Sequence, residues 1–170
     1  MNIAPLQPKG IIFEEVSIKV SPDENNNILF ADQFDFGGVN IRCDVGHAQV
    51  KDDQGNVSDN SFLVGVDLFI TNETGKRAPY SIHVGAKGFF DWVGATKEPV
   101  EMLDLIVVNG ASMIYGSIRE MISNVTSRSM AGPLLLPSLS FIDSKPSLRK
   151  SVNSQPQPRP ELAGNGQMPT

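Results

Sequence analysis

The chain has 170 residues, 40% of them hydrophobic and 19% charged, with a net charge of -5. That length accommodates one domain plus extensions, and a single cysteine, Cys43, excludes an intrachain disulfide framework or a cysteine-based metal site. No segment approaches about 18 consecutive apolar residues, and Met1 to Gly10 shows no apolar run behind a basic region, so the expected location is cytoplasmic, with no membrane insertion.

The charge is uneven. After Asp143 the chain holds Lys145, Arg149, Lys150 and Arg159 against Glu161 alone, a balance of +3, which leaves -8 on residues 1–143. Phosphate contacts need concentrated Lys and Arg, so an acidic body argues against nucleic acid as the main partner. It suits a soluble protein, or one that docks a basic partner.

A strand is expected from Ile11 to Val20, where Val16, Ile18 and Val20 alternate with Ser17 and Lys19. Turn-forming residues from Ser21 to Asn27 stop it. The connection that follows is apolar and aromatic, with Ile28, Leu29, Phe30, Phe34 and Phe36 ahead of Gly37-Gly38. It reads either as a short edge strand or flap folded onto the sheet, or as a binding element able to move between the Asn25-Asn26-Asn27 and Gly37-Gly38 boundaries. A second strand runs from Val39 to about Lys51, with Ile41, Cys43 and Val45 on one face. Ser61 to Thr71 gives the clearest alternation, Phe62, Val64, Val66, Leu68 and Ile70 against Leu63, Gly65, Asp67 and Phe69. A hairpin over Asn72 to Lys76 leads to a fourth strand, Tyr80 to Phe90, with Tyr80, Ile82, Val84 and Ala86 inward and Ser81, His83 and Lys87 outward.

From Val108 to Met130 apolar residues recur at helical spacing: Val108, Ala111, Ile114, Tyr115, Ile118, Met121, Ile122, Val125. The stripe is wider than a seam and needs cover along most of its length. Ala131-Gly132-Pro133 ends the helix. Gly110 and Gly116 lie inside it at a cost of about 1 kcal/mol each; they mark either a close approach or a weak helix. The expected class is α+β, a four-stranded, mainly antiparallel sheet with one long helix on one side. Leu134 to Phe141 is apolar but punctuated by prolines, so it lies extended against the body or a partner. From Ser144 onward Pro, Gln, Ser, Asn and Gly dominate, which predicts a domain over 1–143 and a disordered tail over 144–170.

Catalytic chemistry finds little support. His47 and His83 fall on different strands without ligand-spaced partners, so no metal is expected. Cys43 alternates inward as a small hydrophobe rather than a nucleophile. Glu14-Glu15, Asp52-Asp53 and Glu98/Glu101 read as solvated charge, and Gly37-Gly38 lacks the lysine and helix of a phosphate loop. The expectation is a binding protein without cofactor, not an enzyme.

The chain resembles the SecB family of export chaperones. Glu15-Val16-Ser17-Ile18 resembles the family's first-strand Asp-Ile-Ser-Phe, and Phe30 and Phe34 match the spacing of the Phe and Trp in its crossover loop. Tyr115 to Ser123, with Ser127-Arg128, follows the family's helix pattern. Leu134-Leu135-Leu136-Pro137 through Phe141 resembles the segment after that helix. The match covers roughly residues 10–143. It implies an ATP-independent holdase, a dimer of dimers with long helices sandwiched between sheets, that binds unfolded polypeptide clients and passes them to the SecA motor. On that likeness, the expected client-binding residues are Leu29, Phe30, Phe34, Phe36, Leu134 and Leu136. The expected oligomer interface is Ile114, Gly116, Ile118, Ile122 and Val125, and Glu15 remains from the motor-docking acids. Lys19, Ser81 and His83 replace the other docking positions, which weakens the export reading and leaves two alternatives. One is a SecB-like chaperone that protects an antitoxin; the other is a structural or scaffolding protein whose crossover is a covered flap.

Overall fold

The computed structural model describes residues 3–32, 34–51, 54–95 and 98–148. Four strands, β1 (Leu6–Val20), β2 (Arg42–Lys51), β3 (Val57–Ile70) and β4 (Tyr80–Trp92), precede one long helix, α1 (Pro99–Thr126). They form one antiparallel sheet in the order β1-β4-β3-β2, an α+β arrangement with the helix on one face. The alternation in β3 and β4 sets that face. Phe62, Val64, Val66, Leu68, Tyr80, Ile82, Val84 and Phe90 are all buried, whereas Asp67, His83 and Lys87 point away from α1.

The ends of the elements differ from the sequence expectation where pairing or packing overrides local signal. β1 begins at Leu6 rather than Ile11, because Leu6 pairs with Trp92 and the strand accepts Pro8 beside a register shift. Such a proline is tolerated on an edge strand, where the missing N–H leaves no neighbour unpaired. α1 begins at Pro99, nine residues before Val108, with the proline in the first turn where its missing donor costs nothing. It ends at Thr126, ahead of the expected Met130. The Thr126 hydroxyl donates to the Ile122 carbonyl and accepts the N–H of Leu134, turning the chain back along the helix.

Because β1 and β2 are opposite edges, the connection between them must cross the width of the sheet, about 14 Å over three strand spacings. It does so past the β3–β4 hairpin: Ser21 donates to the Pro79 carbonyl and Lys76 to that of Gly38. Gly75 sits here at φ 79°, and a Cβ would lie 2.6 Å from the Gly38 oxygen, so the crossing admits only glycine. Gly110 fills the close-approach role expected of a helix glycine, since a Cβ there would press on Val64 and Phe90. Gly116 meets nothing and faces outward.

Past the helix and its closing turn, residues 132–141 return without helix or strand structure, and Phe141 packs edge-on against Tyr115 with ring centroids 5.6 Å apart. Ser144 to Leu148, the start of the segment read as a disordered tail, is held to α1. Ser147 donates its N–H and its hydroxyl to the Asp104 carboxylate, and Pro146 is buried. The remainder of that segment, 149–170, lies outside the described residues.

Candidate functional site

The crossover (21–41) is built as a chain of closures. Asp23 accepts the N–H groups of Asn25 and Asn27, the latter at 2.7 Å, and these donors hold its carboxyl below the usual range. Asn26 takes a positive φ of 63° to complete that turn. Ala31 donates to the Ala131 carbonyl at 2.8 Å, tying the crossover to the turn that follows α1. Further on, Phe34 and Phe36 meet edge to face at 5.2 Å, and the Lys76 ammonium lies 4.7 Å from the centroid of Phe34. The N–H of Gly37, followed by Lys76, holds the Asp35 carboxyl below its ordinary value.

The segment after α1 is clamped through its main chain by side chains of the body. Tyr80 donates to the Gly132 carbonyl, Arg119 to that of Leu136 at 3.0 Å, and Tyr115 to that of Pro137 at 2.7 Å. Burial pushes the Tyr115 hydroxyl up to about 12, so it remains a donor at any physiological pH.

These closures sort the expected client-binding residues. Phe30 is 64% exposed. Leu29, Phe34 and Phe36 are half-buried. Leu134 and Leu136 face inward and are 1% and 2% exposed, because the clamps turn these two side chains onto the core. The outward residues there are Leu135, 71% exposed, and Met130, 69% exposed in the turn beside Ala131. Neither stood out in the sequence. An extended run alternates in direction, so one parity of Leu134-Leu135-Leu136 had to face out, but three identical side chains carry no sign of which.

The expected oligomer-interface set divides as well. Ile114, Ile118 and Ile122 are fully buried against the chain's own sheet, so the sheet and the 131–141 segment supply cover that the sequence argument assigned to a second copy. Gly116 and Val125 are the members that face outward.

On the far face of the sheet, Glu15 is engaged within the chain. His83 Nδ1 lies 2.9 Å from its carboxylate, and Asp67 approaches Nε2 at 3.9 Å. The imidazole stacks on Phe69 at 4.2 Å, and Arg42 covers the other side of that ring at 4.1 Å while pairing with Asp44. Burial, with Asp44 and Asp67 nearby, raises the Cys43 thiol to about 11 and keeps it protonated and poorly nucleophilic. Among the described residues no cluster of His, Cys, Asp and Glu is arranged to hold a metal ion, and no helix is long and apolar enough to cross a membrane.

No protein-family profile matches the chain, and no curated protein matches it by sequence. Solved structures do. A SecB-like chaperone from Mycobacterium tuberculosis, in complex with a ChAD peptide from the HigA1 antitoxin, is similar at 20% identity. The match covers 79% of this chain and 91% of that one, with a TM-score of 0.50. A protein of unknown function from Streptococcus agalactiae is similar at 13% identity over 79% of this chain and 97% of that one, with a TM-score of 0.51. The fold is SecB-like.

Proposed function

We propose that the chain is a non-catalytic holdase: it binds unfolded or non-native polypeptides on the surface where the crossover meets the segment after α1, without nucleotide. The observation that carries this reading is the exposure of Phe30 and Met130 beside the Ala31–Ala131 hydrogen bond, with Leu135 exposed further along the same returning segment. Exposed large apolar groups mark binding surfaces when they gather, and clients are recognised by burial of their own apolar side chains. Phe30 projects from a segment fixed on both sides of it, so it offers area at little entropic cost. The likeness to a SecB-like chaperone that binds an antitoxin peptide supports a polypeptide as ligand, and an antitoxin segment is one client of this kind. Delivery to an export motor has less support, since Glu15 is occupied by His83 and the strand presents Lys19 nearby.

The same reading includes a homo-oligomer, a dimer of dimers, in which the outward side of α1 with Gly116 and Val125 meets another copy. A Cβ at Gly116 meets only open space within the chain, so a bulky residue there disturbs an assembly contact and not the protomer. A scaffold with a sealed flap is the competing reading, and the exposed Phe30 and Leu135 disfavour it.

The test is suppression of aggregation of a chemically unfolded client. Changing Phe30, Met130 and Leu135 together to Ser leaves melting and oligomer size unaltered and weakens holding, since each anchor contributes roughly 1–3 kcal/mol. Full suppression by the triple variant would sink the site, and none by the unaltered protein would sink the function.

A further inference from the structure

The open face of the sheet, turned away from α1, departs from the polar pattern that a wet antiparallel face normally carries. Strand register sets Gly10, Phe89, Leu63 and Ala48 side by side across all four strands, with Ile12, Lys87, Gly65 and Gly46 in the next row. Lys87 and Phe89 share the outward parity of β4, so both rows lie on this face. Ile12 is 50% and Phe89 39% exposed, and Leu63 is half-buried. A Cβ at Gly10 or Gly46 would meet nothing, and one at Gly65 would meet the aliphatic stem of Lys87 at 3.7 Å. The result is a low, largely apolar band, about 14 Å long across the four strands.

Charge beside the band is unequal. The row that follows carries Glu15, Asp67 and Asp44. The flanking cations already have carboxylates: Lys87 pairs with Glu14 at 2.7 Å, Lys9 with Asp91 at 2.9 Å and Arg42 with Asp44 at 3.2 Å. Glu15 and Asp67 are left facing one imidazole, that of His83, at 2.9 and 3.9 Å, and each keeps 55% of its side chain exposed. Two carboxylates with no Lys or Arg partner among the described residues thus stand beside exposed apolar area. That arrangement complements a segment in which apolar and basic side chains occur together.

We propose that this open face is a second holding surface for unfolded polypeptide, taking segments in which apolar side chains stand next to Lys or Arg. This rests on the polypeptide-holding reading and adds a charge preference to it. The apolar side chains lie on Ile12, Phe89 and Leu63, and the cation reaches Glu15 and Asp67. About four extended residues, at about 3.3 Å each, span the band. With the outward side of α1 given to a second copy, this face stays on the outside of the assembly. A long client already held at the crossover surface reaches it as an intramolecular step.

Reduced, carbamidomethylated ribonuclease A and α-lactalbumin, one basic and one acidic, serve as permanently unfolded probes. In the full chain, Ile12→Ser with Phe89→Ser is expected to weaken binding of both probes at least fivefold and to leave oligomer size unchanged. Glu15→Gln with Asp67→Asn is expected to weaken the basic probe at least fivefold and the acidic one less than twofold. Parental binding of both probes by the Ile12 and Phe89 variant overturns the inference and leaves holding at the crossover standing. A changed oligomer size in that variant also overturns it, because the face then belongs to a second copy. Equal effects of the carboxylate variant on the two probes overturn the charge preference, and absence of binding by the unaltered protein overturns holding itself. Methyl resonances of the unaltered protein give a reading that needs no variant. Those of Ile12 and Leu63 should shift on adding the basic probe while that of fully buried Ile106 stays in place, and unmoved Ile12 and Leu63 in a saturated complex overturn the second surface.

Discussion

Lys76 and Phe34, 42 residues apart in the chain, close the crossover onto the β3–β4 hairpin. The ammonium lies 4.7 Å from the ring centroid while donating a 2.5 Å hydrogen bond to the Asp35 carbonyl. One side chain thus holds an aromatic face and the main chain beside it, while Phe34 and Phe36 meet edge to face and pack against the core. Lys76→Ala should therefore loosen the crossover more than it destabilises the protein. The expected fall in melting temperature is only about 2 °C, as befits an exposed cation–π contact, with a clear rise in proteolytic cutting between Pro22 and Gly38. Unaltered cutting would show that the hairpin contacts at Gly38 and Val39 hold the crossover without Lys76.

Thr126 is the one fully buried polar residue among those described, and its hydroxyl serves both α1 and the returning segment. Thr126→Val keeps the shape and leaves the Leu134 N–H without a partner in a dry site. The expected loss is about 1–3 kcal/mol, read as a lower midpoint in urea with unchanged slope. Ser127→Ala, which removes an exposed hydroxyl from the next position, should stay within about 0.5 kcal/mol of the parent. Equal midpoints for the two variants would mean that the segment reaches its bed without this bond.

Acid should open the crossover at two places. Asp23 and Asp35 have carboxyls lowered from an ordinary value of 3.8, chiefly by backbone N–H groups of Asn27 and Gly37 respectively. A lowered carboxyl favours the folded arrangement fully above its unfolded value, and that support is lost as pH falls from about 3.8 through the lowered folded value. Hydrogen exchange of residues 25–38, corrected for the intrinsic rate, should show steady protection from pH 7 to 5 and a loss below about 3.8. Protection that declines instead between pH 7 and 6 would point to a histidine.

The Ser147–Asp104 contact predicts where the folded unit ends. A chain stopped at Ser144 loses buried Pro146 and both hydrogen bonds to Asp104, and its melting temperature should fall by several degrees relative to one stopped at Leu148. Asp104→Ala in the full chain should reproduce part of that fall. Identical melting of the two shortened chains would place the boundary nearer Asp143, as composition alone suggests.

The faces of β3 and β4 were legible in the sequence because every second residue from Phe62 to Ile70 and from Tyr80 to Ala86 is apolar, and strand geometry turns that period directly into a buried face. The stripe on α1 was legible for the same kind of reason, at helical period. The early start of α1 was not, since the stripe was read only from Val108 and Pro99 is as suited to a loop as to a first turn. Nor was the direction of the Leu134-Leu135-Leu136 run, where no polar residue breaks the tie between the two sides.

What composition and period determined was therefore which surfaces must leave water: one face of the sheet and one side of the helix. Partner choice belonged to the tertiary structure. Ile114, Ile118 and Ile122 needed cover, and their own sheet and the returning segment provide it, because a helix lying across four strands reaches all of them. Phe30 stayed outside while Phe34 went under Lys76, although both are phenylalanines in one apolar connection. That difference comes from contacts 37 or more residues away in sequence, the Gly75–Gly38 approach and the Lys76 side chain, which local spacing cannot encode.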